Sequence, residues 1–171
     1  MLGKDDMLAD VITALSRAET LEEVQQLVRA NARALADAQG ATVVLRDGDQ
    51  CFYADEDAIS PLWKGQRFPI TDCISGWAML QRTPAVIPDI RIDERVPQHA
   101  YRPTFVRALA MIPIRVTDPL GAIGAYWATT HQATEAQVNR LTALAEAAGS
   151  ALERITPAGD VATVPRSVPG R

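Results

Sequence analysis

A chain of 171 residues, 47% hydrophobic and 22% charged, has the length and make-up of one globular domain that can bury a core without disulfides or metals. Its net charge of −4 and pI of about 5.2, with no Lys/Arg cluster, exclude the basic footprint of a nucleic-acid binder. The opening Met-Leu-Gly-Lys-Asp-Asp lacks the basic entry and apolar core of a signal peptide, and no apolar run is long enough for a membrane span, so the expected location is cytoplasmic with no membrane partner.

Leu8, Val11, Ile12 and Leu15 predict a short first helix. Thr20 and Glu23 stand at capping-box spacing and open a second helix with Leu21, Val24, Leu27, Val28 and Leu35 on one face. Asn31 interrupts that face, and Gly40 is expected to end the helix. Residues 41–46 and 50–54 read as strands joined at Asp47-Gly48, a hairpin signal. Ser60-Pro61 suits one helical turn, and 67–70 a short strand. Thr71-Asp72 is expected to cap a helix from Cys73 to about Gln81, followed by a strand at 84–87. Residues 89–106 lack periodicity, and long irregular segments in compact domains are usually functional or mobile. Strands are expected at 108–116 and 120–129, joined around Asp118-Pro119.

Thr134 and Gln137 form a second capping box. The helix it opens carries apolar residues at Val138, Leu141, Ala145, Ala148, Leu152 and Ile155, in steps of three and four, until Pro157 and Gly159 stop it. A seam of this kind suits packing on the domain's own sheet or pairing with a second copy. The expectation is a homodimer whose interface includes Leu141, Ala145, Ala148 and Leu152, the alanines allowing close approach. Residues 1–155 then form the domain, and 156–171, rich in proline and glycine, a disordered tail or linker. The fold class is α+β: a central antiparallel sheet, N- and C-terminal helices on one face, and pocket-forming loops on the other.

Four stretches, in this order and spacing, resemble a GAF domain of the type found in bacterial sensor histidine kinases. They are Ile74-Ser75-Gly76-Trp77-Ala78; Val86-Ile87-Pro88-Asp89-Ile90; Tyr101 through Leu109 leading into Met111-Ile112-Pro113-Ile114; and Gly121 through Ala128. The resemblance covers about residues 5–155. It implies a sensory module that binds a small molecule non-covalently and relays its state through terminal helices of a dimer. It also implies an output partner, a histidine kinase or another signalling domain; neither a phosphoacceptor helix nor a nucleotide-binding domain follows Ile155, so the chain is expected to be a sensory fragment or a free-standing module. Two alternatives stand beside this: a dimerising module with no ligand, and a thiol-dependent methionine sulfoxide reductase.

The candidate pocket residues are Trp63, Cys73, Trp77, His99, Tyr101, Arg102, Phe105, Met111 and Trp127; no catalytic residue and no metal site is expected. Tyr101 and Phe105, on the irregular segment, are favoured as pocket walls, whereas large aromatics such as Trp77 and Trp127 more often fill cores. Arg102 and Arg107 suit an anionic ligand or surface pairing with Asp93 or Glu94. Cys73 near a helix start can gain thiolate character, but Cys51 falls on a strand elsewhere, so both are expected to be reduced and buried. Family members that attach a bilin do so through a cysteine close to a histidine; His99 has none beside it in sequence, and a haem is unsupported. His131 is expected to be solvated. The cofactor is left unknown.

Overall fold

The computed structural model describes residues 3–156. Its elements are α1 (Lys4–Arg17), α2 (Leu21–Leu35), β1 (Gly40–Asp47), β2 (Gln50–Ala58), β3 (Arg67–Pro69), α3 (Ile74–Gln81), β4 (Ala85–Ile87), a 3-10 turn (Ile90–Ile92), α4 (Gln98–Tyr101), β5 (Ala108–Ile114), β6 (Gly121–Trp127) and α5 (Glu135–Ile155). The six strands form one antiparallel sheet in the order β3-β2-β1-β6-β5-β4. The expected α+β architecture, with helices on one face and loops on the other, is what the chain adopts.

Each face of the sheet carries its own core. On one side Val11 and Leu15 of α1, Val28 and Leu35 of α2, and Leu141, Ala145, Ala148 and Leu152 of α5 pack over Ile112, Ile114 and Ile123. On the other, α3 and the segment around α4 cover Val44, Tyr53, Met111 and Tyr126. Strand alternation sends neighbouring residues to opposite cores, as Ile112 and Met111 do.

The helical layer closes on itself. Arg154 Nη2 donates to the carbonyls of Leu15 at 3.1 Å and Ala18 at 2.6 Å, and Arg140 Nε to Leu35 at 2.7 Å. These carbonyls lie at the C-terminal ends of α1 and α2, where basic groups are favourably placed. The capping box of Thr134 and Gln137 is complete. At Thr20 the hydroxyl accepts from Glu23 N at 3.1 Å, while the Glu23 carboxylate reaches the N–H of Glu19.

Here the structure corrects the dimer seam. Leu141, Ala145, Ala148 and Leu152 are each at most 5% exposed, shut inside their own domain. Leu144, Gly149 and Ala151 are buried beside them, so the apolar face is wider than a two-stranded seam and matches a helix lying on a sheet. Heptad-like spacing is common to both situations, and here the sheet together with α1 and α2 of the same chain supplies the partner surface.

Smaller corrections have local causes. α2 ends at Leu35, because Asp37 takes a left-handed conformation (φ 50°) and Gly40 already belongs to β1. Asn31, which interrupts the apolar face of α2, is half-buried and its amide donates to Leu27 O one turn back. β2 runs on to Ala58, and β5 and β6 stop short at Ile114 and Trp127. No helical turn forms at Ser60-Pro61. Cys73, rather than Thr71 or Asp72, sits at the N-cap of α3. Residues 89–106 contain the 3-10 turn and α4, with Ile90, Val96, Tyr101 and Val106 buried. The stop at Pro157 and Gly159 and nearly all of the expected tail lie outside the described residues.

Candidate functional site

On the loop face a cavity of about 440 Å³ opens between β2, β3, the entry to α3 and the segment before α4. Its inner walls are rings: Tyr53 from β2, Trp63 from the loop after β2, Phe68 from β3 and Tyr101 from α4. Trp63 is the hub, 5.6 Å from Tyr53, 4.7 Å from Tyr101 and 5.4 Å from Tyr126 between centroids, and Phe68 meets Tyr53 edge-on at 5.5 Å. Such tilted and edge-to-face pairs are the favoured aromatic geometries. The rim is polar and contains Asp72, Glu94, Arg95 and His99.

A carboxylate positions the hub. Glu56, on β2, accepts from the backbone N–H groups of Leu62, Trp63 and Lys64, each at 2.9 Å. Three donors converging on one charged acceptor hold the loop in a single shape. Trp63 Nε1 then donates to Ala100 O at 3.0 Å, tying that loop to α4. Gln98 Nε2 donates to Ile90 O at 2.8 Å, joining α4 to the 3-10 turn.

The floor is a thiol and hydroxyl cluster. Cys51 and Tyr53 stand two apart on β2 and face the same way, toward the start of α3. Gly76 lets α3 approach closely: a Cβ there would run into the Ile70 carbonyl. This seats Cys73 against Cys51, and their side chains are hydrogen-bonded. Ser75 Oγ lies 3.4 Å from Cys73 Sγ and 3.0 Å from the Tyr53 hydroxyl, and Pro69 O lies 3.6 Å from the same sulfur. The hydrogen bond from Cys51, with help from Ser75 and the Gly76 N–H, draws the Cys73 thiol down to about 7 against burial and the Asp72 charge. Cys51, which keeps the proton, is pushed well above the usual thiol range by that bond and by burial. Burial likewise raises Tyr53, Tyr101 and Tyr126, which stay neutral phenols.

Of the nine candidate pocket residues, Trp63, Cys73, His99 and Tyr101 line this cavity. Cys73 and His99, far apart in sequence, share it. The others stand elsewhere. Trp77 is half-buried with the Arg95 guanidinium 4.4 Å above its ring. Arg102 is exposed, and Asp93 pairs with Arg95 at 2.7 Å. Phe105 packs over Gly40 at the sheet end. Met111 is fully buried beneath α3. Trp127 points into the helical core, its Nε1 donating to Asp37 O at 3.0 Å, because strand register sends it to the face opposite Tyr126. His131 is not simply solvated: its Nε2 meets Gln137 Oε1 at 2.8 Å, and its ring lies 4.6 Å from that of Trp127. Both cysteines are free and buried, as expected, but they are neighbours rather than strangers. The residues missed from sequence are Tyr53, Phe68, Cys51 and Ser75, whereas Glu94 to Pro97 belong to the irregular 89–106 segment; the period of two on β2 was the available signal for Tyr53 and Cys51.

Among the described residues no group of three or more His, Cys, Asp and Glu converges as a metal site, and no helix is long and apolar enough to cross a membrane. A comparison with curated proteins finds no match. Solved structures with this fold include the GAF domain of an Acinetobacter phosphoenolpyruvate-protein phosphotransferase, with 11% identity, a TM-score of 0.75 and coverage of 90% of this chain and 96% of that one. Another is the free methionine-R-sulfoxide reductase of Neisseria meningitidis in complex with its substrate, with 15% identity, a TM-score of 0.75 and coverage of 89% of both chains. A third is the GAF-B domain of DevS from Mycobacterium smegmatis, with 22% identity, a TM-score of 0.62 and coverage of 76% of this chain and 90% of that one. At these identities the likeness is one of fold. A GAF domain family model matches residues 18–153, most of the chain, and on that match the protein belongs to the GAF domain family.

Proposed function

We propose that this protein is a GAF-type sensory domain that binds a small molecule non-covalently in the cavity walled by Tyr53, Trp63, Phe68 and Tyr101. The observation that carries the reading is the cavity itself: about 440 Å³, apolar inside and polar at the rim, within the usual size range of ligand pockets. A module that only mediated contacts would need no such space. The rim sets acidic Asp72 and Glu94 against His99 and an Arg95 already paired with Asp93. It therefore favours a compact neutral or zwitterionic molecule with an aromatic or apolar body over a polyanion.

Ligand state is relayed by a population shift. The occupant touches α4 and the loop held by Glu56, and the sheet between carries the strain to the helical layer, where α1, α2 and α5 are tied by Arg154 and Arg140. Any homodimer uses the outer surfaces of α1 and α5, since the inner faces are occupied. The output is a kinase or other signalling domain responding to those helices in the cytoplasm.

The test is a thermal-shift screen of purified protein against small metabolites, with His99→Ala as control. His99 lies exposed at the rim, so this variant should keep its own melting temperature and lose part of the ligand's stabilisation. A screen in which no compound stabilises the wild type, or stabilises both proteins equally, counts against this cavity as the site. The Neisseria neighbour acts on free methionine sulfoxide, so steady-state turnover with a reductant separates an enzyme from a sensor.

A further inference from the structure

The cavity floor holds two thiols that the sensory reading does not use. Cys73 is 7% exposed and lines the cavity, so a small solute reaches it only from within. Cys51 is fully buried directly behind it, hydrogen-bonded to it and shielded from that solute. Ser75 touches the Cys73 sulfur at 3.4 Å and the Tyr53 wall at 3.0 Å. A thiol that lines the cavity, hydrogen-bonded to a second one with no exposure, suits the roles of an attacking and a resolving cysteine.

We propose that Cys73 and Cys51 form a reversible dithiol site oxidised by small hydroperoxides entering the cavity, with Cys73 attacking and Cys51 resolving. The Cys73 thiolate attacks the distal peroxide oxygen. The S–O bond forms, the O–O bond breaks, and the leaving alkoxide or hydroxide takes a proton from solvent to depart as alcohol or water. The product is a Cys73 sulfenic acid, the sulfur having lost two electrons to the peroxide. The Cys51 thiol then attacks that sulfur; the S–S bond forms, and the S–OH oxygen leaves as water with the Cys51 proton. A dithiol reductant restores both thiols by exchange.

The electrostatic surroundings agree with these roles. The charged and titratable groups facing the pair are Asp72, which opposes a Cys73 thiolate, Arg46 on the Cys51 side, and the phenols of Tyr53, Tyr101 and Tyr126. With its thiol drawn down to about 7, Cys73 is substantially ionised near neutral pH, while Cys51 is held protonated until it is needed. Oxidation would also take Cys73 away from Ser75 and so disturb Tyr53, which links thiol state to the cavity wall.

The experiment treats the reduced full chain with a small excess of hydrogen peroxide, blocks remaining thiols under denaturing conditions, and maps peptides by mass. The expected result is an intramolecular Cys51–Cys73 link reversed by dithiothreitol. Cys51→Ala should instead accumulate a Cys73 sulfenic acid trapped by dimedone, and Cys73→Ser should leave Cys51 reduced, its consumption slowed by roughly tenfold or more because a buried protonated thiol is a poor nucleophile. The proposal is overturned if wild-type Cys73 passes to sulfinic acid without the link, if the link joins two chains, if both thiols survive peroxide, or if Cys51 is oxidised as fast without Cys73. Mapping of the wild type alone decides the matter should either variant fail to fold.

Discussion

The indole of Trp63 lies 4.7 Å from the ring of Tyr101 and is anchored by its Nε1 donating to the neighbouring Ala100 carbonyl at 3.0 Å. The contact joins the loop after β2 to α4, the two segments that face each other across the cavity. Removing the ring in Trp63→Ala should destabilise the domain by about 3–5 kcal/mol, as for other buried aromatics. Trp63→Phe keeps a ring but removes the hydrogen bond and part of the indole's packing, at a smaller cost of about 1–3 kcal/mol. Chemical denaturation of the two variants checks the ranking, and equal losses would mean that the ring packing contributes little.

Glu56 predicts a local effect. Glu56→Ala leaves the backbone N–H groups of Leu62, Trp63 and Lys64 without their shared acceptor, so their amides should exchange with solvent faster while those of β5 and β6 do not change. The global cost should be about 1–3 kcal/mol, since the loop is partly open to water. Unchanged exchange at those three amides would show that the loop is held by Trp63 packing alone.

α5 predicts the outcome of charge insertion. Leu141 is fully buried against the sheet and α1, so Leu141→Ala should cost about 2–5 kcal/mol, and Leu141→Glu should unfold the domain rather than release folded monomers. Circular dichroism with sedimentation separates the cases. A folded, monomeric Leu141→Glu protein would restore α5 as a pairing seam.

The thiol cluster predicts a pH dependence. Cys73 is drawn down in the folded state, so the thiolate adds stability above the usual thiol range, and that contribution is lost as pH falls through about 7. Alkylation of Cys73 by a small neutral reagent should rise with a midpoint near that value. Cys51→Ala removes the main cause and should move the midpoint upward; Ser75→Ala should do so by less. A midpoint unmoved in both variants would assign the thiolate to another cause.

Much of the architecture was readable because local signals and tertiary needs agreed. The Thr134 and Gln137 box marks α5, Asp47-Gly48 marks the hairpin, and continuous apolar runs mark β5 and β6. The seam on α5 was ambiguous because a sheet and a second helix ask for similar spacing. The site was legible only where one segment carries it, as at His99 and Tyr101. The meeting of Cys51 with Cys73 depends on β2–β3 register, where Cys51 lies opposite Phe68, and on the room left by Gly76, neither of which is a local property. Trp127 shows the reverse error: a family-like position and an aromatic side chain suggested a pocket, whereas its strand parity put it in the helical core.

Whether the cavity holds a ligand is read most directly by native mass spectrometry of the protein purified from its own host without denaturation. The expected result is a defined mass above that of the chain, released on denaturation and reduced in occupancy by His99→Ala. A bare chain from the native host, joined by exchange at residues 93–101 as slow as at β5 and indifferent to metabolite extracts, would contradict it.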